Sequence, residues 1–598
     1  MIAQEDEDAF KVLEAALAGR TDLDKYNTQQ SRNKLLLFAA QLWLDLDDID
    51  DLASRALTDA PGDKSCDLLY VDRSAGLILI AQGYEPTART TVELAKVSSL
   101  HQAVAWVFSH DAEGLPQRLQ SARAEMREAL DASDITQVYI WFVSSLPESK
   151  EVQREILAIE SIARAAIDAR YPELKPDITA LEVGRGKLAE WYAEARKPIL
   201  VTEEITLTVE DPPLTIEGSG WTAYTVTVPA EWLNNLYWKH EEKLFSANVR
   251  GFLGAPKAKD NINNGMRETL RDEPGNFWVY NNGITALVND ARYDGEQKEL
   301  LIHGISIVNG AQTTGAVAKF KEQDALSDAR IPMRFIKCGN REVVQKIIKF
   351  NNRQNAMDPA DFRSNDRVQK RLVAEFQALG INSYTGGRRG VGIDAARQAS
   401  GIVDLESVGR ALAAYHGFPG IAYNALRVVW EEDRVYRRLF SDETTARHVI
   451  FCWSLLKAVQ DLKLHLRELP SDPLPPPGKG KQLDYFERPG SIPLLVAAIG
   501  LSIPDILGRG ISHPFQPNFK GKLVPAKCVT AWRPIVDSVA TQAPQHLGPV
   551  LLASGPPRDL GPETLENFRS QVEAMVESIS ETGDNKWNAF RRKVKLTT

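Results

Sequence analysis

Residues 305–315 read ISIVNGAQTTG, a β-branched apolar run that stops abruptly in small polar side chains. Ile305, Ile307 and Val308 carry a strand pattern, and Asn309-Gly310 supplies the turn that ends it. A turn needs only that pair, yet Gln312, Thr313 and Thr314 follow before the apolar residues of a helix resume. Surplus hydrogen-bonding groups where a strand meets a helix mark the place in an α/β sheet where ligands bind.

Similar pieces surround this turn. ITLTVED, YTVTVPAEWL, FWVYNNGITALV, LLIHGISIVNG and IPMRFIKCG read as strands, with AQTTGAVAKFKEQ and EVVQKIIKFNNRQN as helices. They predict a central α/β domain over residues 191–380. Upstream, NKLLLFAAQLWLDLDDIDDLASRAL has helical spacing, and CDLLYVDRSAGLILIAQGYEP reads as a hairpin turning at 72–76. The helix TTVELAKVSSLHQAVAWVFSH and the buried strand ITQVYIWFVSS complete an α/β domain over 1–190. Residues 381–598 are mostly helical in pattern, as in LESVGRALAAYHG and RHVIFCWSLLKAVQDLKLHLREL. Near 470–480, LPSDPLPPPGKGKQ reads as a spacer whose prolines exclude regular helix. The fold class expected is α/β multidomain.

Bulk properties narrow the setting. A chain of 598 residues exceeds one ordinary domain, and 43% hydrophobic residues suffice for proper cores. The net charge of −9 gives no general support for nucleic-acid binding, although a local basic surface would still provide it. Cys66, Cys338, Cys452 and Cys528 are scattered, with no Cys-x-x-Cys and no histidine read at ligand spacing. A zinc site or disulfide framework is therefore not expected, and a reducing cytoplasm is the simplest compartment. The acidic start MIAQEDEDAF lacks the order of a signal peptide, and no apolar run reaches the ~18–20 residues that span a bilayer. A cytoplasmic protein without membrane contact is expected.

In the front domain, Asp67 opens one strand of the hairpin and Gln82 sits near the end of the next. This resembles the PD-(D/E)xK nuclease core of restriction endonucleases, where an acid and a Glu or Gln on paired strands hold Mg²⁺. The resemblance implies Asp67 and Gln82 as metal ligands and a restriction-endonuclease-like N-terminal domain. The usual Lys two residues after the Gln is replaced by Tyr84, a phenol that is uncharged at neutral pH. Only Asp45, Asp47 and Asp48 offer acids on the preceding helix, and Lys96, on the following one, is the nearest cationic substitute. The residues leave open a working nuclease, a retained fold used for binding or docking, and a generic α/β hairpin with an incidental Asp and Gln.

In the central domain, several stretches share one chemistry. LFSANVRGFLG carries Asn248 and Arg250, FWVYNNGIT carries Asn281, Asn282 and Thr285, and IVNGAQTTG carries Asn309, Gln312 and Thr313. KFNNRQN adds Asn351 and Asn352. Amides both donate and accept, which suits a ligand of mixed edges such as a base, sugar or phosphate. The competing reading is that Asn-Gly pairs make turns and the other amides cap helices. The order NVRGFLG, FWVYNNGIT, IVNGAQTT, IPMRFIKC, KIIKFNNRQNAMDPADF resembles that of the abortive infection phage resistance (AIPR) proteins, over roughly residues 240–440. The strand, NGAQTT turn and helix are also similar to ParB-like and DGQHR-type domains, which contact a nucleotide or DNA at such a turn. This turn lacks the Arg of those relatives, so a phosphate would need Arg250, Arg267 or Arg334. The resemblance implies a bacterial antiphage protein that binds nucleotide or nucleic acid through the Asn-rich cleft. The alternative is a non-catalytic scaffold that forms homo-oligomers and senses a phage component.

Overall fold

The structure is a computed structural model. It describes residues 2–597 apart from 28–31, 45, 47, 74, 87–90, 109–112, 197–198, 200, 246–257, 319, 321–322, 341–342, 345–346, 349–350, 352–362, 364–365, 385, 387–401, 470–475, 555–561 and 583–584. The chain forms two compact units. One holds Met1–Leu13 with Lys187–Met357, and the other Glu14–Gly186 with Asp358–Thr598. The front α/β region and the C-terminal helices therefore belong to one unit.

In that larger unit the predicted hairpin forms strands β1 (Leu68–Asp72) and β2 (Leu77–Tyr84). Asp72 Oδ1 accepts the Ala75 N–H at 3.0 Å and closes the turn. Strands β3 (Gln137–Ser144) and β4 (Asp177–Val183) extend the sheet in the order β1-β2-β3-β4. β1 and β2 are antiparallel, whereas β2–β3 and β3–β4 are parallel. Every residue of β3 is buried, because helices cover both faces of the sheet. Ile78, Ile80, Val138, Ile140 and Phe142 meet Val97, Leu100, Val104, Met126 and Ile156 on one face. On the other, Trp43 of helix Lys34–Leu44 packs edge-on against Tyr139 and Trp141.

The helical part of the same unit is built around helix Ala446–Arg467, most of whose residues are buried. Helix Ser491–Leu501 is apolar on all sides and buried from Ser491 to Ile499, as a core helix must be. The short strands β12 (Pro517–Phe519) and β13 (Val594–Leu596) pair antiparallel near the C-terminus. Residues 470–475 of the proline-rich stretch lie outside the described residues, and its end departs from expectation, since Pro477–Phe486 are helical. Proline is excluded from a helix interior but suits the first turn, where its missing N–H has no intrahelical partner anyway. Charged side chains tie this part to the front region: Lys457 Nζ lies 2.7 Å from Asp48 and 3.2 Å from Asp50, and Arg410 lies 2.9 Å from Asp51.

The smaller unit holds a seven-stranded sheet. Its strands are β5 (Val201–Thr208), β6 (Leu214–Gly218), β7 (Trp221–Pro229), β8 (Ile284–Val288), β9 (Asp290–Asp294), β10 (Glu299–Asn309) and β11 (Arg330–Cys338). The order is β5-β10-β8-β11-β7-β6, with β9 paired on β10. Only β8 and β11 run parallel. The FWVY segment, expected as a strand, is the short helix Phe277–Tyr280, and β8 starts at Ile284. Pro274 begins a 3₁₀ turn there, which leads directly into helical backbone. Trp278 is 47% exposed, and its indole N–H donates to Thr227 Oγ1 at 3.3 Å.

Gly310 closes β10 at φ +107°, where a Cβ would stand 2.6 Å from the Ile284 side chain. Gly310→Ala therefore meets both a strained backbone and a clash with β8. Its expected cost is about 1–3 kcal/mol, read as a lower denaturation midpoint of the full chain.

Candidate functional sites

The turn after β10 sits in a row of polar residues that three strands assemble. Asn309 is the register partner of Thr285 on β8, and Thr285 is the register partner of Arg334 on β11. One Arg334 N–H group donates to Thr285 Oγ1 at 2.9 Å and to Asn351 Oδ1 at 3.0 Å. Asn351 is itself oriented by donating to the Ile347 carbonyl at 2.9 Å. Thr285 is buried, whereas Arg334 is exposed, so the guanidinium is anchored at one end and open to solvent.

Two further groups brace the turn. Asn281 Oδ1 accepts the Gly283 N–H at 2.9 Å, and Asn281 Nδ2 lies 3.1 Å from Thr313 Oγ1. The loop before β8 is thereby fastened to helix Ala311–Ala318, which follows β10. Thr314 spends its hydroxyl on the Gly310 carbonyl at 2.9 Å. Gln312 is half-buried in the first helical turn, and Asn282 is exposed. Of the predicted ligand-binding residues, Asn281, Thr285, Asn309 and Thr313 come together. Arg334 is the cation that joins them, and Arg267 sits half-buried on helix Ala258–Asp272. Asn248, Arg250 and Asn352 lie outside the described residues. Physically, the row offers, among the described residues, one fixed cation flanked by neutral donors and acceptors, a set suited to a phosphate with adjoining polar groups.

A second constellation lies at the start of β1 in the larger unit. Leu68 pairs with Ala81, which sets Asp67 beside Gln82 and Gly83, and Asp67 Oδ2 accepts the Gly83 N–H at 2.7 Å. Carboxylate oxygens of Asp59, Asp63 and Asp67 all lie within 4.8 Å of one another. Asp59 and Asp63 belong to the loop DAPGDKSCD, not to the preceding helix where the sequence directed the search. Their spacing of four residues around Pro-Gly was the available signal. Lys64 and Ser65, at φ +57° and +65°, hold this loop in left-handed backbone that side chains ordinarily avoid. Burial, reinforced by the Asp63 and Asp59 charges, pushes the Asp67 carboxyl up to about 8, although the Gly83 N–H works the other way. Burial likewise raises Asp63.

The remaining nuclease-like residues are placed unevenly. Gln82 is buried, its Nε2 donates to Ser99 Oγ at 2.9 Å, and its Oε1 has no hydrogen-bond partner. Ser99 in turn donates to the Lys96 carbonyl at 2.6 Å, which puts Lys96 one helical turn away, on the exposed start of helix Leu94–Phe108. Tyr84 packs on Phe142 at 6.1 Å between ring centroids and contributes to the core. Asp48 caps helix Ile49–Ala56 and pairs with Lys457, so it is committed elsewhere, while Asp45 and Asp47 lie outside the described residues. Three clustered carboxylates, two of them made reluctant to ionise by burial, offer oxygen donors of the kind Mg²⁺ takes. The residues present thus fit that ion.

The family model described as AIPR protein matches residues 245–392, a span that contains β8 to β11 and the polar row. No curated protein and no solved structure is detectably similar to the chain.

Proposed function

We propose that the chain, whose residues 245–392 match the AIPR protein family model, serves in abortive-infection phage defence by binding a nucleotide or nucleic acid at the polar row. The observation that carries the reading is the alignment of Asn309, Thr285 and Arg334 across β10, β8 and β11, with Asn351 on the same guanidinium. Arg334 would supply the charge-assisted contact to phosphate that the turn itself lacks. Asn281, Asn309, Gln312 and Thr313 would meet the ligand's other polar edges. The reaction compartment is the bacterial cytoplasm, where phage nucleic acid is exposed.

Thermal shift against a panel of nucleotides and short DNA and RNA tests this reading. The wild-type chain is expected to be stabilised by at least one ligand class. Arg334→Ala is expected to weaken that ligand about 10- to 100-fold, in line with the loss of a charged hydrogen bond worth about 1.5–3 kcal/mol. A wild-type chain stabilised by nothing in the panel would overturn it, as would equal stabilisation of the variant.

A second reading is favoured by the cluster of Asp59, Asp63 and Asp67 carboxylates at the start of β1. In it, Asp59, Asp63 and Asp67, with Gln82, hold Mg²⁺, and the front domain is a nuclease of PD-(D/E)xK descent. Bound there, the ion would stabilise charge building on a scissile phosphate. Lys96 would contribute the positive charge that Tyr84 cannot. Asp67→Ala is then expected to abolish divalent-dependent cleavage of DNA or RNA, and cleavage that survives it would remove the nuclease assignment. Phage protection that persists with both Arg334 and Asp67 replaced would favour the scaffold reading, in which the assembled chain senses a phage component.

A further inference from the structure

Helix Ala446–Arg467 carries His448 and Cys452 one turn apart, and His416 follows the end of helix Leu405–Tyr415. His448 Nε2 lies 3.1 Å from His416 Nε2 and 3.3 Å from Cys452 Sγ. All three atoms fall within 4.8 Å of one another. On its far side, His448 Nδ1 stands 3.0 Å from the Pro517 carbonyl, which can only accept. The Nδ1 therefore bears the proton, and in a neutral ring Nε2 is left with a single lone pair.

Hydrogen bonding alone accounts poorly for this arrangement. His416 N–H and Cys452 S–H would compete for that one lone pair. In the other His416 tautomer two lone pairs would face each other at 3.1 Å. A cation between the three atoms resolves both conflicts. Tetrahedral zinc, with ligands at about 2.0–2.1 Å for nitrogen and 2.3 Å for sulfur, would separate its donor atoms by about 3.3–3.6 Å, within a few tenths of the 3.1 Å and 3.3 Å that His448 Nε2 makes to the other two. The carbonyl behind His448 is the usual partner that orients a ligating imidazole. Aromatic rings fix the remaining freedom: Phe515 stacks on His416 at 4.2 Å, and Tyr415 meets both imidazoles edge-on at 5.2 and 5.4 Å.

We propose that His416, His448 and Cys452 form a three-ligand zinc site that staples two helices of the C-terminal region beside the segment at Pro517. Binding releases the Cys452 thiol proton to solvent and leaves a fourth position for water. The expectation from scattered cysteines was that no such site exists. The signal was present in HVIFC (448–452), whose four-residue spacing puts both donors on one helix face, but the third ligand comes from a distant helix.

Untagged full-length protein from zinc-supplemented culture, analysed by elemental mass spectrometry, tests the proposal. The wild type is expected to hold about one zinc per chain, and Cys452→Ser and His416→Gln are each expected to lose most of it. Replacement by Co²⁺ should give a thiolate charge-transfer band that Cys452→Ser lacks. A chelator should lower the Tm of the wild type and leave that of Cys452→Ser unmoved, which separates loss of metal from loss of fold. A wild type that takes up neither Zn²⁺ nor Co²⁺ would overturn the site. So would zinc content unchanged in both variants, and uptake of Cu⁺ in place of Zn²⁺ would overturn the zinc assignment.

Discussion

Lys457→Met is expected to destabilise the larger unit by about 3–5 kcal/mol, read as a lower urea midpoint with the slope unchanged. Lys457 is buried, and although burial works against its charge, Asp48 and Asp50 hold the ammonium well above its usual range. In return, and against their own burial penalty, Lys457 and Lys25 hold the Asp50 carboxyl far below the ordinary carboxylate range. Removing the ammonium leaves the buried Asp48 carboxylate without its 2.7 Å partner. A buried charge stripped of its partner costs far more than the pair was worth. The contrast is Arg533→Ala at the Asp461 pair, where the arginine side chain is 55% exposed and the loss should stay below about 1 kcal/mol. Equal effects at the two sites would contradict the argument. The consequence reaches beyond one ion pair, because Lys457 belongs to the C-terminal helices and Asp48 to the front region. The two are expected to unfold together.

The second large effect concerns pH. The folded Asp67 carboxyl titrates near 8, against about 3.9 in an unfolded chain. Between those values the folded state binds the extra proton, so this group's contribution to stability falls as pH rises and is fully lost only above about 8. Asp67→Asn removes the titration while keeping an acceptor for the Gly83 N–H. The variant is therefore expected to melt several degrees above the wild type at about pH 8.5, with the gap closing toward about pH 5. Mg²⁺ should narrow the gap at high pH by raising the wild-type Tm alone. Differential scanning fluorimetry from pH 5 to 9 reads both effects. A pH-independent difference would show that the carboxyl does not titrate in this range, and Mg²⁺ acting equally on both proteins would place the ion elsewhere.

Local pattern carried much of the fold. The hairpin over 66–86, the apolar strand at 137–144 and the strands ending at Asn309 and Cys338 were all legible from alternation and turn residues. The FWVY segment misled because four apolar residues have the composition of a strand whether or not they are buried. The 3₁₀ turn at Pro274 runs straight into helical backbone there and leaves Val279 66% and Tyr280 65% exposed, which no short window reveals.

The sites divide along the same line. By itself the sequence determined where polar groups concentrate, at 281–285 and 309–313, and that Asp67 and Gln82 stand on the two strands of one hairpin. It also determined that any phosphate at the turn needs a cation from another segment. Only the tertiary structure decided that Arg334 is the one aligned with Thr285 and Asn309, since that depends on β8 lying between β10 and β11. Only the tertiary structure brought Asp59 and Asp63 to Asp67, His416 to His448, and the front sheet into one unit with helices some three hundred residues later. Periodicity along a chain reports which side of an element is buried, within a turn or two. Which elements then share that burial is settled by the pairing and packing of segments far apart in sequence, and no local pattern encodes it.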